Sequence, residues 1–187
     1  IAIYTTDRGP IFFRQKRLTV NGKEFDILKF RSMVVDAEKD GVARLAGQKD
    51  HRITKVGKVL RSTRLDELPQ LLNILRGEMS MVGPRPERPE IAAEYKKEIP
   101  EFDFRLKMKA GLTGYAQVYG KYNTTAYDKL IYHLVYIQNA GIRTDLTIII
   151  QTVRVLFQKS ATEGVHDVQT KDSLKDFDIQ KNIYGDF

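Results

Sequence analysis

The chain has 187 residues, 42% apolar and 29% charged, which is enough for one domain with a buried core and unlike a disordered chain. Its 31 Lys and Arg outnumber 24 Asp and Glu, and a net charge of +7 favours phosphates, anionic lipid or nucleic acid without choosing among them. With no cysteine, disulfides and thiolate metal sites are excluded, and the scattered His51, His133 and His166 make a poor zinc set.

The chain opens on Ile1-Ala2-Ile3-Tyr4 without methionine, and no run approaches the ~18–20 apolar residues that span a bilayer. A preceding segment is therefore expected. Residues 11–20 and 23–30 are β-prone and separated by Asn21-Gly22, a pair that accepts the positive φ of a tight turn, so a β-hairpin is predicted. Residues 39–52 read as a loop around a short helix, and 55–61 as a short basic helix or turn. A helix is then predicted from Asp66, its N-cap, with Leu68, Leu71, Leu72 and Leu75 at helical spacing and Gly77 as its stop. Pro69 is acceptable there only in a first turn.

Gly83-Pro84-Arg85-Pro86 predicts a rigid turn, and residues 91–99 a short helix ending at Pro100. Alternation over 102–108 predicts a strand, and the glycines of 111–120 a loop. Residues 127–139 read as a helix. Thr144-Asp145 caps another, with a stripe of Leu146, Ile149, Ile150, Val153 and Phe157. That stripe either faces the core or lies in a lipid headgroup layer, and the two readings can occupy different faces of one helix. The expected fold is α+β: a mostly helical single domain over residues 1–165, packed around one β-hairpin, with a polar tail over 166–187.

Chemistry concentrates in Arg61-Ser62-Thr63-Arg64-Leu65-Asp66-Glu67-Leu68-Pro69-Gln70. A helix start favours anions, and arginines add charge-assisted donors suited to phosphate. A carboxylate held ionised there can attack phosphorus or share a divalent cation with phosphate oxygens. Acids also suit a first helical turn for purely structural reasons, and on this segment alone that reading weighs more. Arg85, fixed between two prolines, is a second candidate. A third is the Gly111-Leu112-Thr113-Gly114 loop with Gln117 and Gly120-Lys121.

Five segments in one order resemble the bacterial sugar transferases, the monotopic polyprenyl-phosphate phosphoglycosyl transferases. They are Gly9-Pro10-Ile11-Phe12-Phe13-Arg14-Gln15, Lys29-Phe30-Arg31-Ser32-Met33, Leu65-Asp66-Glu67-Leu68-Pro69-Gln70, Gly83-Pro84-Arg85-Pro86, and Gly111-Leu112-Thr113-Gly114 with Ala116-Gln117-Val118. The resemblance implies that Asp66 is a nucleophile and Mg²⁺ ligand, Glu67 its dyad partner, and Arg61 and Arg85 phosphate binders. It further implies transfer of a sugar 1-phosphate from a UDP-sugar to polyprenyl (undecaprenyl) phosphate through a phosphosugar–aspartate intermediate, with release of UMP. Such an enzyme works on the cytoplasmic face of the bacterial inner membrane, at the first membrane step of exopolysaccharide, capsule or O-antigen synthesis. An N-terminal re-entrant helix is implied before Ile1.

Two positions depart from the family pattern. Lys109-Ala110-Gly111 stands where Arg-Pro-Gly is common, and Gly120-Lys121-Tyr122-Asn123 where Gly-Arg-Asn is common. Lys121 keeps a phosphate-binding charge but not the bidentate fork of arginine. Two alternatives run beside this reading. A catalytically silent scaffold of a polysaccharide assembly complex is opposed by the intact Asp66, Glu67, Arg61 and Arg85. A nucleic-acid-binding module is opposed by the lack of any matching motif and by arginines that sit beside acids. The sugar and any self-association stay open.

Overall fold

A computed structural model describes residues 2–37, 50–120 and 124–156. Its organising element is the predicted hairpin: β1 (Phe12–Leu18) and β2 (Glu24–Phe30) pair antiparallel, Phe12 opposite Phe30 and Leu18 opposite Glu24. The turn between them holds Asn21 at φ 59° and Gly22 at φ 71°, the left-handed backbone that this dipeptide tolerates. Along β2, Phe25 and Ile27 point inward onto Met79 and Ala110, and strand alternation puts Lys29 next on that face. The short N-terminal helix α1 (Ala2–Asp7) is tied to the hairpin by Asp7, whose carboxylate accepts from the buried Arg31 at 2.8 Å.

After the hairpin, α2 (Lys55–Ser62) starts at Thr54, whose hydroxyl accepts from the Gly57 N–H at 2.9 Å. The next segment corrects a prediction. Asp66 does not cap an α-helix; it sits in a 3₁₀ turn, Leu65–Glu67, and α3 (Gln70–Leu75) begins only after Pro69. Pro69 has no N–H to give Leu65, so the chain passes through tight i→i−3 bonds, Leu68 to Leu65 and Leu72 to Pro69, before the helix sets in. The leucine stripe also faces outward. Leu68, Leu71, Leu72 and Leu75 are all exposed, whereas Gln70 and Asn73 are buried.

Asn73 explains that inversion. Its Oδ1 accepts from the Leu28 N–H at 3.0 Å, while its Nδ2 donates to the Asp26 carbonyl at 2.9 Å and to Glu78 at 2.6 Å. One fully buried amide thus fastens α3 to the edge of β2. Substituting Asn73→Ala orphans the backbone groups of Leu28 and Asp26 and is expected to cost about 3 kcal/mol. For a chain of this size that is a Tm drop of roughly 6–12 °C, readable by thermal denaturation.

A second, smaller sheet joins β3 (Ser80–Val82) and β4 (Gly111–Thr113) in parallel. The predicted loop over 111–120 is therefore a strand followed by α5 (Tyr115–Tyr119). Glycine is needed where the two motifs meet: a Cβ on Gly111 would lie 2.1 Å from Gly83 N, and one on Gly114 2.2 Å from Gly83 O. The strand predicted over 102–108 is instead a 3₁₀ segment, Pro100–Lys107. Its apparent alternation hides a three-residue repeat, with Phe102 and Arg105 buried on one side.

Helix α4 (Pro89–Glu98) precedes that segment. Helix α6 (Ala126–Gln138) follows a capping box in which Thr125 and Asp128 satisfy each other's N–H groups. Leu130, His133 and Tyr136 form its buried side. The last described helix, α7 (Ile142–Leu156), buries Ile148 against Val82 and Tyr136. Its predicted stripe splits between faces: Ile149 packs inward, while Leu146, Ile150 and Val153 are exposed together with Ile142. No helix of the described residues is long and apolar enough to cross a membrane. Phe157 and the predicted tail over 166–187 lie outside the described residues.

Candidate active site

The end of β2, the end of α2, the 3₁₀ turn at Leu65–Glu67 and the Pro84-Arg85-Pro86 turn bring one cluster of charge together. Between α2 and the 3₁₀ turn the chain reverses at Arg64, which takes a left-handed φ of 58°. A non-glycine residue there carries local strain. The reversal leaves Asp66 buried at 8% exposure and directs Glu67 towards Lys29.

The two adjacent carboxylates have opposite surroundings. Lys29 Nζ donates to Glu67 Oε1 at 2.8 Å, with both side chains largely enclosed. Burial alone would raise the Glu67 carboxyl, yet Lys29 and Arg85, with Arg64 beyond them, hold it at about 2. Glu67 is firmly ionised. Burial pushes Asp66 the other way, above the ordinary aspartate range, with Glu67 adding to the rise and Lys29, Arg61 and Arg64 opposing it. Asp66 Oδ1 is buried and has no hydrogen-bond partner among the described residues. Adjacent acids driven apart in this way mark a division of roles. Asp66 is the more basic carboxylate with an uncommitted oxygen, and Glu67 is the fixed anion.

Of the site residues expected from sequence, the structure brings Asp66, Glu67, Arg61 and Arg85 within electrostatic reach of this cluster. Arg61 lies half-buried in the last turn of α2, and Arg85 is exposed. Lys121 lies outside the described residues. Lys29 was missed as a site residue, although a lysine continuing the inward Phe25–Ile27 alternation was a readable signal. His133 and Arg105, buried behind Arg85, were missed as well.

The cluster was also expected to hold Mg²⁺. Among the described residues no group of three or more His, Asp or Glu could hold a metal ion by itself. A free carboxylate oxygen on Asp66 nevertheless fits this cation, which usually takes one or two protein carboxylates and completes its shell with substrate phosphate and water. The donor set is compatible.

Such a cluster, on a small α+β domain, has the chemistry to hold a phosphorylated group by its arginines against a carboxylate with a free oxygen. The family model for bacterial sugar transferases matches residues 1–159, and the chain belongs to that family. It is 45% identical over 157 residues to a Klebsiella pneumoniae protein named UDP-glucose:undecaprenyl-phosphate glucose-1-phosphate transferase, covering 81% of this chain and 34% of that one. It is 40% identical over 151 residues to an Aeromonas hydrophila protein named UDP-N-acetylgalactosamine-undecaprenyl-phosphate N-acetylgalactosaminephosphotransferase, covering 79% and 36%. A Caulobacter vibrioides glucose-1-phosphate transferase is 42% identical over 158 residues, covering 82% and 59%. The chain thus spans about a third of the length of the first two relatives.

Proposed function

We propose that this domain transfers a sugar 1-phosphate from a UDP-sugar to undecaprenyl phosphate, with Asp66 as the nucleophile. The observation that carries the reading is the contrast within the dyad: an enclosed Asp66 with an unengaged Oδ1 beside a Glu67 neutralised by Lys29. Family membership and the names of the relatives supply the substrate class.

In this mechanism the Asp66 carboxylate attacks the sugar-linked phosphorus. The bond from that phosphorus to the bridging oxygen breaks, and its electron pair leaves with UMP. Asp66 then carries the phosphosugar as an acyl phosphate. A phosphate oxygen of undecaprenyl phosphate attacks the same phosphorus, Asp66 leaves as carboxylate, and the product is an undecaprenyl diphosphate sugar. Arg61 and Arg85 bind the diphosphate. Lys29 keeps Glu67 ionised yet locally neutralised, which limits the repulsion that an arriving diphosphate would meet. Bound at Asp66, Mg²⁺ would neutralise phosphate charge during the approach of one anion to another.

A lipid acceptor also accounts for the setting of the dyad. Leu65 and Leu68, immediately either side of Asp66-Glu67, are 44% and 48% exposed, and Leu72 and Leu75 of α3 are exposed as well. Exposed leucines of this extent suit the headgroup boundary of a membrane. The reading places the domain on the cytoplasmic face of the inner membrane. The sugar is left for the test to name.

Natural full-length protein in lipid, incubated with undecaprenyl phosphate, Mg²⁺ and a panel including UDP-glucose, UDP-galactose and UDP-N-acetylgalactosamine, is expected to release UMP from one of them. Release of UDP instead of UMP would overturn the mechanism.

A further inference from the structure

Arg85 projects an exposed side chain from a backbone held on every side. In the stretch Pro84-Arg85-Pro86, Arg85 has the single N–H, because proline has none. That N–H donates to His133 Nε2 at 3.3 Å. The three carbonyls are gripped from three other places: Pro84 O by the Gly111 N–H at 2.9 Å, Arg85 O by the Arg105 guanidinium, and Pro86 O by Arg17 Nη1 at 3.3 Å. His133 and Arg105 are buried at 2% and 3% exposure.

We propose that His133 is a positioning residue for Arg85, holding its peptide so that the guanidinium meets the donor diphosphate. This rests on the phosphate-binding reading of Arg85 given above. His133 is an awkward occupant for its place unless the acceptor is used. It lies on the buried side of α6 between Leu130 and Tyr136, where an aliphatic residue would pack without polar cost. Its Nδ1 is buried and has no hydrogen-bond partner among the described residues. Burial, with Arg105, Lys129 and Arg85 nearby, holds its pKa down to about 3, so the ring is neutral and Nε2 is free to accept. A protonated ring would turn a donor towards the Arg85 N–H.

The position is reinforced by what Arg85 does at the dyad. Its charge lowers Glu67 and Lys29 alike, so a displaced Arg85 changes both the phosphate contact and the field around the carboxylates. The neighbouring prolines restrict the backbone but leave its N–H with one protein acceptor among the described residues. His133 thus completes a clamp whose other jaws are carbonyl contacts.

The test is a double-mutant cycle in natural full-length protein in lipid, using UDP-glucose, or whichever UDP-sugar in the panel is active, and following UMP release. His133→Leu is expected to lower kcat/KM about tenfold, mainly through KM, as loss of one buried acceptor should. In an Arg85→Ala background the same change is expected to cost less than about twofold. His133→Gln, which keeps an acceptor, should recover most of the loss even if His133→Leu proves hard to fold. A His133→Leu cost that is equal in both backgrounds would show general structural damage and overturn the proposal. If Arg85→Ala alone leaves kcat/KM unchanged, the phosphate-binding role of Arg85 fails and the proposal falls with it. If Arg85→Ala is impaired while His133→Leu is not, only the positioning role is refuted.

Discussion

Replacing Asp66 with asparagine is expected to lower UMP release by at least about four orders of magnitude, the usual scale for removing a nucleophile. The exchange is nearly isosteric, so the dyad turn should keep its shape. Its effect on stability is expected to run the other way. Burial raises the Asp66 carboxyl above the ordinary range, which means that folding favours its neutral form. At neutral pH the charged form therefore opposes folding, and an uncharged asparagine should leave Tm unchanged or raise it. Glu67→Gln should behave oppositely in stability, because Glu67 is held at about 2 by Lys29 and Arg85 and its charge supports the fold. Lost activity with retained or improved stability at position 66, and lost stability at position 67, would separate two adjacent acids by role. An Asp66→Asn protein releasing UMP at the normal rate would end the covalent reading. The measurements are single-turnover UMP release in lipid and thermal denaturation at neutral pH.

Elements that depend on near neighbours were legible in the sequence. Asn21-Gly22 announced the hairpin because two consecutive positive φ values exclude most residues. Helix α6, read over 127–139, lies at Ala126–Gln138, one residue earlier, behind a capping box that is itself local. Elements that depend on distant partners were not legible. Gly111–Thr113 is a strand only because Ser80–Val82 lies alongside, some 30 residues earlier, and its glycines read locally as a loop. The spacing of Leu68, Leu71, Leu72 and Leu75 does not say which side packs in; Asn73 is spent on three hydrogen bonds to β2 and Glu78, so the polar side does. The charged cluster was legible in the same divided way. Asp66, Glu67 and Arg85 lie in ordered motifs that resemble a family, with Arg61 just ahead of one of them; Lys29 opens another of those motifs, but its role comes from a strand 37 residues upstream of Asp66 that only the fold brings to Glu67. His133 looked like a failed metal ligand; what gives it meaning is a backbone N–H between two prolines on another segment.

Lys29→Met is the substitution expected to damage the fold and the site together. Lys29 and Glu67 have side chains 21% and 16% exposed, so water screens their 2.8 Å contact only partly. Taking away the ammonium leaves Glu67 enclosed beside Asp66 without its partner, and loss of one member of such a pair costs about 3 kcal/mol. The pH profile identifies the cause. Glu67 falls from the usual 4.5 to about 2 in the folded protein, so its contribution is fully present above 4.5 and is lost as pH falls towards 2. Without Lys29 the Glu67 carboxyl rises, and that portion of the acid-side loss should disappear from denaturant titrations between pH 5 and pH 3, ranges set roughly by those two values. Adding Glu67→Gln to Lys29→Met removes the stranded charge and should restore most of the stability while activity stays low, because a neutral pair needs no solvation. Recovery of stability without recovery of turnover would show that the lysine and glutamate are present for the charge they set beside Asp66. If the double variant regains full turnover, the pair merely holds β2 against the dyad turn, and the electrostatic role assigned to Lys29 is wrong.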